Sequence, residues 1–127
     1  MNIIVISDGE NSYEFNLGED GINITIFYIH SVERSPVYEV LHVNKTGIYA
    51  VEMRWKDFGA GLPEDFQYIE NGFYVKKINI YLGKSLSYWF IPINQAQITI
   101  NGETIFNPEK DTLITFKVEN TTLIKAV

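Results

Sequence analysis

Residues capable of chemistry are few in this chain of 127 residues, and they are scattered. Two acidic turns, Asp8-Gly9-Glu10-Asn11 and Glu19-Asp20-Gly21, could together offer the converging oxygen ligands that calcium takes. Neither has the dense carboxylate spacing of a calcium loop, so both read as solvated turn carboxylates and no metal is assigned. His30 and His42 stand apart, with no His-x-His pair and no Glu-bearing helical zinc motif, and structural or surface roles are expected of them. No Gly-x-Ser-x-Gly elbow marks a nucleophile. Gly59-Ala60-Gly61 follows a strand but lacks the third glycine and the helix of a phosphate loop. Sixteen carboxylates guarantee some close pairs, yet sequence gives no separations from which to choose an acid and base for glycoside cleavage. The expectation is a non-enzymatic protein without a cofactor.

Aromatic residues leave one opening. Trp55, Phe58, Tyr88 and Trp89 are large, rigid contact groups suited to a protein hot spot or to stacking on a sugar. Most strand aromatics in a small β domain fill the space between sheets, so core packing is the competing role. Phe58 is the exception, because it falls in Asp57–Asp65, where alternation fails and Phe58-Gly59-Ala60-Gly61-Leu62-Pro63 forms the longest irregular stretch. Pro63 can start a helical turn, and Glu64 and Asp65 would suit its positive end. Loops on a rigid β scaffold are where contact surfaces are commonly built. The candidate binding residues are therefore Trp55, Phe58, Leu62, Glu64 and Asp65, joined by Glu19 and Asp20 of the acidic half.

The elements that must carry these residues are strands. Asp8-Gly9, Asp20-Gly21, Asn71-Gly72 and Asn101-Gly102 are turn dipeptides that reach positive φ cheaply, and alternating apolar and polar residues lie between them. Ile22, Ile24, Ile26 and Tyr28 share one face; Tyr49, Val51, Met53 and Trp55 are expected to oppose Ile48, Ala50, Glu52 and Arg54. In Phe73–Leu82 the apolar face changes at Lys76-Lys77, which predicts a β-bulge. Pro92 predicts that the strand Leu86–Ile93 ends at an edge or bulge, and Leu123–Val127 is expected to close the chain as a strand. The architecture expected is all-β: one domain over residues 1–127, an antiparallel sandwich or barrel of about ten short strands joined mainly by hairpins. At most one short helical turn is expected, near Pro63–Ile69.

Composition narrows the function classes. Cysteine is absent, which excludes disulfides, thiolate nucleophiles and cysteine-bound metals. The first residues lack a signal peptide's basic and long apolar regions, and no apolar run is long enough to span a bilayer; a cytoplasmic protein, or part of a released assembly such as a virion, is expected. The sequons at Asn23, Asn44 and Asn120 then read as ordinary strand and turn residues. Residues 1–65 hold 11 acids and 4 bases, whereas residues 66–127 hold 5 acids and 6 bases. An acidic surface of this kind repels a phosphate backbone and favours basic partners, so direct nucleic-acid binding is not expected.

These features point first to protein–protein contact or self-association, in a structural or adaptor subunit of a phage, virion or injection-apparatus assembly. Two alternatives are an acidic inhibitor or immunity-type protein steered to a basic partner, and a carbohydrate-binding module.

Overall fold

The computed structural model describes residues 1–59 and 61–121, and shows an antiparallel β-sandwich. Eleven strands follow in order: β1 (Asn2–Ser7), β2 (Ser12–Asn16), β3 (Ile22–Ile29), β4 (Pro36–Asn44), β5 (Gly47–Trp55), β6 (Tyr68–Glu70), β7 (Phe73–Gly83), β8 (Ser85–Phe90), β9 (Gln97–Ile100), β10 (Glu103–Phe106) and β11 (Thr112–Asn120). One sheet has the order β2-β1-β11-β8, the other β10-β9-β3-β4-β5-β7-β6. The helical turn among the described residues is the 3-10 turn Pro92–Asn94 after β8, and the described residues of Asp57–Gln67 carry none, so the turn expected near Pro63–Ile69 is not there. Leu123–Val127, expected as a closing strand, lies outside the described residues.

Turn chemistry accounts for most of the pairings. Asn71-Gly72 and Asn101-Gly102 have positive φ at both positions, +52° and +81° in the first and +52° and +78° in the second, as a type I′ turn requires. They join β6 to β7 and β9 to β10. Asp8-Gly9 closes a longer loop, in which the Asp8 carboxylate accepts hydrogen bonds from the amides of Glu10 (2.9 Å) and Asn11 (2.7 Å). Asp20-Gly21 does not make a hairpin: it carries the chain from the four-stranded sheet to the seven-stranded one, as Gly83-Lys84 carries it back.

The core lies between the sheets. Ile4, Ile6, Ile114 and Phe116 from the smaller sheet meet Ile24, Ile26, Leu41, Val43, Ile48, Ile98 and Ile100 from the larger. Regular alternation explains β3, whose Ile22, Ile24, Ile26 and Tyr28 all pack on this core as expected. It does not explain β5. Val40 faces Glu52 but Leu41 faces Ala50, so β5 holds one extra residue, Val51, against β4. Beyond that point inward and outward positions exchange. Ile48, Ala50, Met53 and Trp55 therefore share the inner face, opposite Val43, Leu41, Glu39 and Val37. The expected grouping of Trp55 with Tyr49 and Val51 is thus corrected by the bulge. A second register shift lies directly beside it: Glu52 pairs with Lys77 and Ala50 with Ile80, which sets an irregularity in β7 next to the expected Lys76-Lys77 site.

The larger sheet extends past the smaller one, and there a second cluster of Val37, Trp55 and Leu62 forms beneath the loop that follows β5. Partly buried Tyr28 packs on both clusters. Glu39 lies on this inner face opposite Met53, and its charge acts on Tyr28 and Tyr88. Burial raises its carboxyl above the ordinary range. Nearby, buried Asn94 ties the 3-10 turn to the end of β3. Its Nδ2 donates to Ile29 O (2.9 Å) and Ser31 Oγ (2.9 Å), and its Oδ1 accepts from Ile91 N (2.9 Å).

Two consequences are measurable. A carboxyl whose pKa is raised by folding contributes stability below its unfolded pKa and loses it as pH rises through the folded value. Glu39→Gln should therefore be more stable than wild type at pH 7, with the gap closing as pH falls below the ordinary glutamate range; urea midpoints across pH 3–8 test this, and a pH-independent difference would oppose it. Asn94→Ala should cost about 1–3 kcal/mol, because it orphans Ile91 N and the Ile29 carbonyl. Thermal and urea unfolding measure that loss, and an unchanged midpoint would remove Asn94 as an anchor.

Candidate functional site

Two surfaces flank the β6–β7 end of the larger sheet, one on each face. The inner-face surface is an aromatic ridge. Because the bulge turns Trp55 inward, the loop after β5 folds over it, with Leu62 N donating to Gly59 O (3.0 Å). Phe58 and Phe66 both rest on Tyr74, with ring centroids 4.5 Å and 4.6 Å from it, and lie 6.3 Å from each other, so the three rings form a triangle. Trp55 meets Phe58 edge-on at 6.2 Å from below. This packing leaves Phe58 41%, Phe66 42% and Ile69 61% exposed, while Tyr68, next to Ile69 in β6, faces the other side of the sheet.

The candidate residues separate by depth and place. Phe58 is exposed on the ridge. Trp55 and Leu62 are buried beneath it, so they support the loop and cannot touch a partner directly; the reason is the shifted facing of β5 and the apolar pull of Val37 and Tyr74. Glu64 is exposed, and Asp65 pairs with Lys76 Nζ at 2.7 Å, which holds its carboxyl below the ordinary range. Glu19 and Asp20 are also exposed, but Gly21 beside them abuts His42 and Val43 at the far end of β4. The chain from there to the ridge runs the length of β5, about 25 Å. These acids do not join the ridge.

The outer-face surface is a groove of about 380 Å³ lined by Thr25, Tyr38, Val40, Glu52, Arg54, Asn71 and Phe73. Cross-strand register builds it: Tyr38 lies opposite Arg54, Val40 opposite both Thr25 and Glu52, and Glu52 opposite Lys77. Phe27, Tyr38 and Phe73 form an aromatic row, with ring centroids 5.0 Å apart for the first pair and 5.4 Å for the second. Glu52 is buried at the floor. Its Oε2 accepts from Arg54 Nε at 2.8 Å and its Oε1 from Lys77 Nζ. Burial works against its charge, but the hydrogen bonds and charges of Arg54 and Lys77 outweigh that penalty and hold its carboxyl below the ordinary range. The Glu52 hydrogen bond in turn raises Arg54.

Sequence reasoning placed Glu52 and Arg54 together on one strand face but did not single them out. Their i, i+2 spacing was the available signal; the convergence of Tyr38, Asn71, Phe73 and Lys77 needs strand pairings that only the fold reveals. Among the described residues no group of three or more His, Asp or Glu side chains gathers at metal-binding distance. Both histidines have local partners: His30 Nδ1 accepts from the amides of Val32 and Glu33, and His42 Nδ1 lies 2.7 Å from Asn23 Oδ1. No helix among the described residues is long and apolar enough to cross a membrane.

A family model described as a domain of unknown function, DUF1850, matches residues 24–106. No curated protein and no solved structure matches the chain. The matched segment runs from within β3 through β10 and so holds the larger sheet almost whole, along with the ridge and the groove. On that match, which covers well over half of its residues, the chain belongs to the DUF1850 family.

Proposed function

We propose that this chain is a non-enzymatic protein-interaction domain, a structural or adaptor subunit of a larger assembly of the virion or injection-apparatus type, and that it makes its contact through the Phe58 ridge. The observation supporting this is the cluster of exposed Phe58, Phe66 and Ile69 on the inner face at one end of the sheet. Exposed apolar residues scattered singly need no explanation, but neighbouring aromatic rings in mutual contact form the kind of patch that partners cover. Buried Trp55 and partly buried Tyr74 hold these rings, so little side-chain entropy is lost when the patch is covered.

Carbohydrate binding has a specific observation in its favour as a second reading. Trp89 is 60% exposed on the outer face of the smaller sheet, opposite Leu113, and the next cross-strand pair on that face is Ser87 with Thr115. An exposed indole beside hydroxyls is the arrangement a sugar face would use.

The two readings separate experimentally. A photo-crosslinking residue at position 58 should capture a protein neighbour or a second copy in extracts of the native source, whereas the same group at exposed Glu109 should not. Phe58→Ser with Phe66→Ser should weaken that association about 30-fold or more, the scale of one hot spot, without altering far-UV circular dichroism. A monodisperse monomer with no cross-link from position 58 would defeat the interaction reading. Sugar binding predicts a saturable change in Trp89 emission on titration with glycans, lost in Trp89→Ala; an unresponsive spectrum across the panel would count against it.

A further inference from the structure

We propose that the outer-face groove is a binding site for a small monocarboxylate carrying an apolar body, with Arg54 taking the carboxylate. A guanidinium offers five N–H donors in a planar fork. Among the described residues Arg54 makes a hydrogen bond only through Nε, to Glu52. Its Nη2 stands 3.6 Å from Glu70 Oε2, too far for a normal hydrogen bond. Arg54 lines the groove and the Glu52 bond fixes its guanidinium plane, so a carboxylate guest would take the two Nη groups with parallel hydrogen bonds, displacing the long Glu70 contact.

Local charge supports an anion despite the chain's net charge of −6. Three cations surround the groove. Arg54 lines it, Lys77 neutralises the other oxygen of Glu52, and Lys56 Nζ sits 4.8 Å from the centroid of the Phe73 ring. Two carboxylates, Glu52 and Glu70, face them, so the groove carries a local positive excess. A cationic guest would have to compete with Arg54 and Lys77 for Glu52, whose oxygens are both already engaged.

The remaining lining sets the guest's other end. Tyr38, Val40 and Phe73 offer apolar and aromatic surface beside the fork, while Thr25 and Asn71 add polar groups at the edge. Asn71 owes its place to the type I′ turn, where its φ of +52° is one that asparagine tolerates better than most residues. An anion with no apolar portion, such as acetate, would leave that wall uncovered and should bind more weakly than an aromatic acid.

Benzoate, benzamide and acetate test the assignment on the whole chain by NMR, following the Arg54 Nε–H and the Tyr38 and Phe73 ring signals. Benzoate should shift all three saturably. Its isosteric neutral amide and acetate should each bind at least several-fold more weakly. Arg54→Gln should weaken benzoate about tenfold or more, the loss of charge-assisted hydrogen bonds. Arg54→Lys keeps the charge and the Glu52 pairing without the fork, and should fall between wild type and Arg54→Gln. Asn71→Gly preserves the turn and should leave the protein folded, with a smaller loss. Equal binding of benzoate and benzamide, unchanged affinity in Arg54→Gln, or no shift with benzoate would each overturn the proposal. This outcome is independent of the Phe58 ridge, whose association is read by cross-linking.

Discussion

One extra residue in β5 governs the arrangement of the larger sheet. Val51 has no counterpart in β4, and β7 answers with its own irregularity between Lys77 and Ile80. A strand has only two faces, so a single inserted residue sends every later side chain to the opposite one. Without it Trp55 and Met53 would project outward with Tyr49, and Glu52 and Arg54 would point toward the core. A charged pair in that space would face the several-kcal/mol desolvation penalty that buried ions carry. The bulge therefore produces both the apolar support beneath the Phe58 loop and the charged floor of the groove.

Two glutamates on neighbouring strands meet opposite electrostatic fates, Glu52 because the displacement turns it outward and Glu39 because regular alternation in β4 turns it inward. Glu52 is buried, yet two cations reach its two oxygens, so its ionised form is favoured by folding. Glu39, on the neighbouring strand and the inner face, is pushed toward its neutral form by burial near Tyr28 and Tyr88. Carboxylates one strand apart are sorted by facing alone. Folding is consequently favoured by acid at one position and by neutral pH at the other, which sharpens the demand for a single register.

Much of the scaffold was legible because turn chemistry and alternation are local. Asn71-Gly72 and Asn101-Gly102 make the hairpins their residue types imply, and β3 packs the face its alternation predicts. The irregularity near Lys76-Lys77 was visible as a break in pattern. The bulge at Val51 was not, because Ile48–Trp55 alternates acceptably in either frame: apolar residues occupy both parities, and only cross-strand pairing decides between them. Trp55 was a candidate contact residue for its side-chain type; the structure buries it as a support beneath the loop. Phe58 escaped the ambiguity of facing because its loop has no alternation to misread. The groove was illegible for a different reason: its residues come from β3, β4, β5, β7 and the β6–β7 turn.

The family match falls on the sheet that carries both surfaces, whereas β1, β2 and β11 of the smaller sheet lie outside it. The larger sheet still needs them. Its inner face presents Ile24, Ile26, Leu41, Val43, Ile98 and Ile100, and these are buried against Ile4, Ile6, Ile114 and Phe116. Each such side chain left in water forfeits about 1.5–3 kcal/mol. Together the six amount to about 9–18 kcal/mol, comparable with the whole stability of an ordinary domain, about 5–15 kcal/mol. The strands from the two ends of the chain thus act as the apolar cover that lets the central segment fold, and β1 pairs with β11 along its full length to supply it. With the inner face sealed in this way, only the overhang beyond the smaller sheet and the outer face remain open, and those are where the ridge and the groove lie.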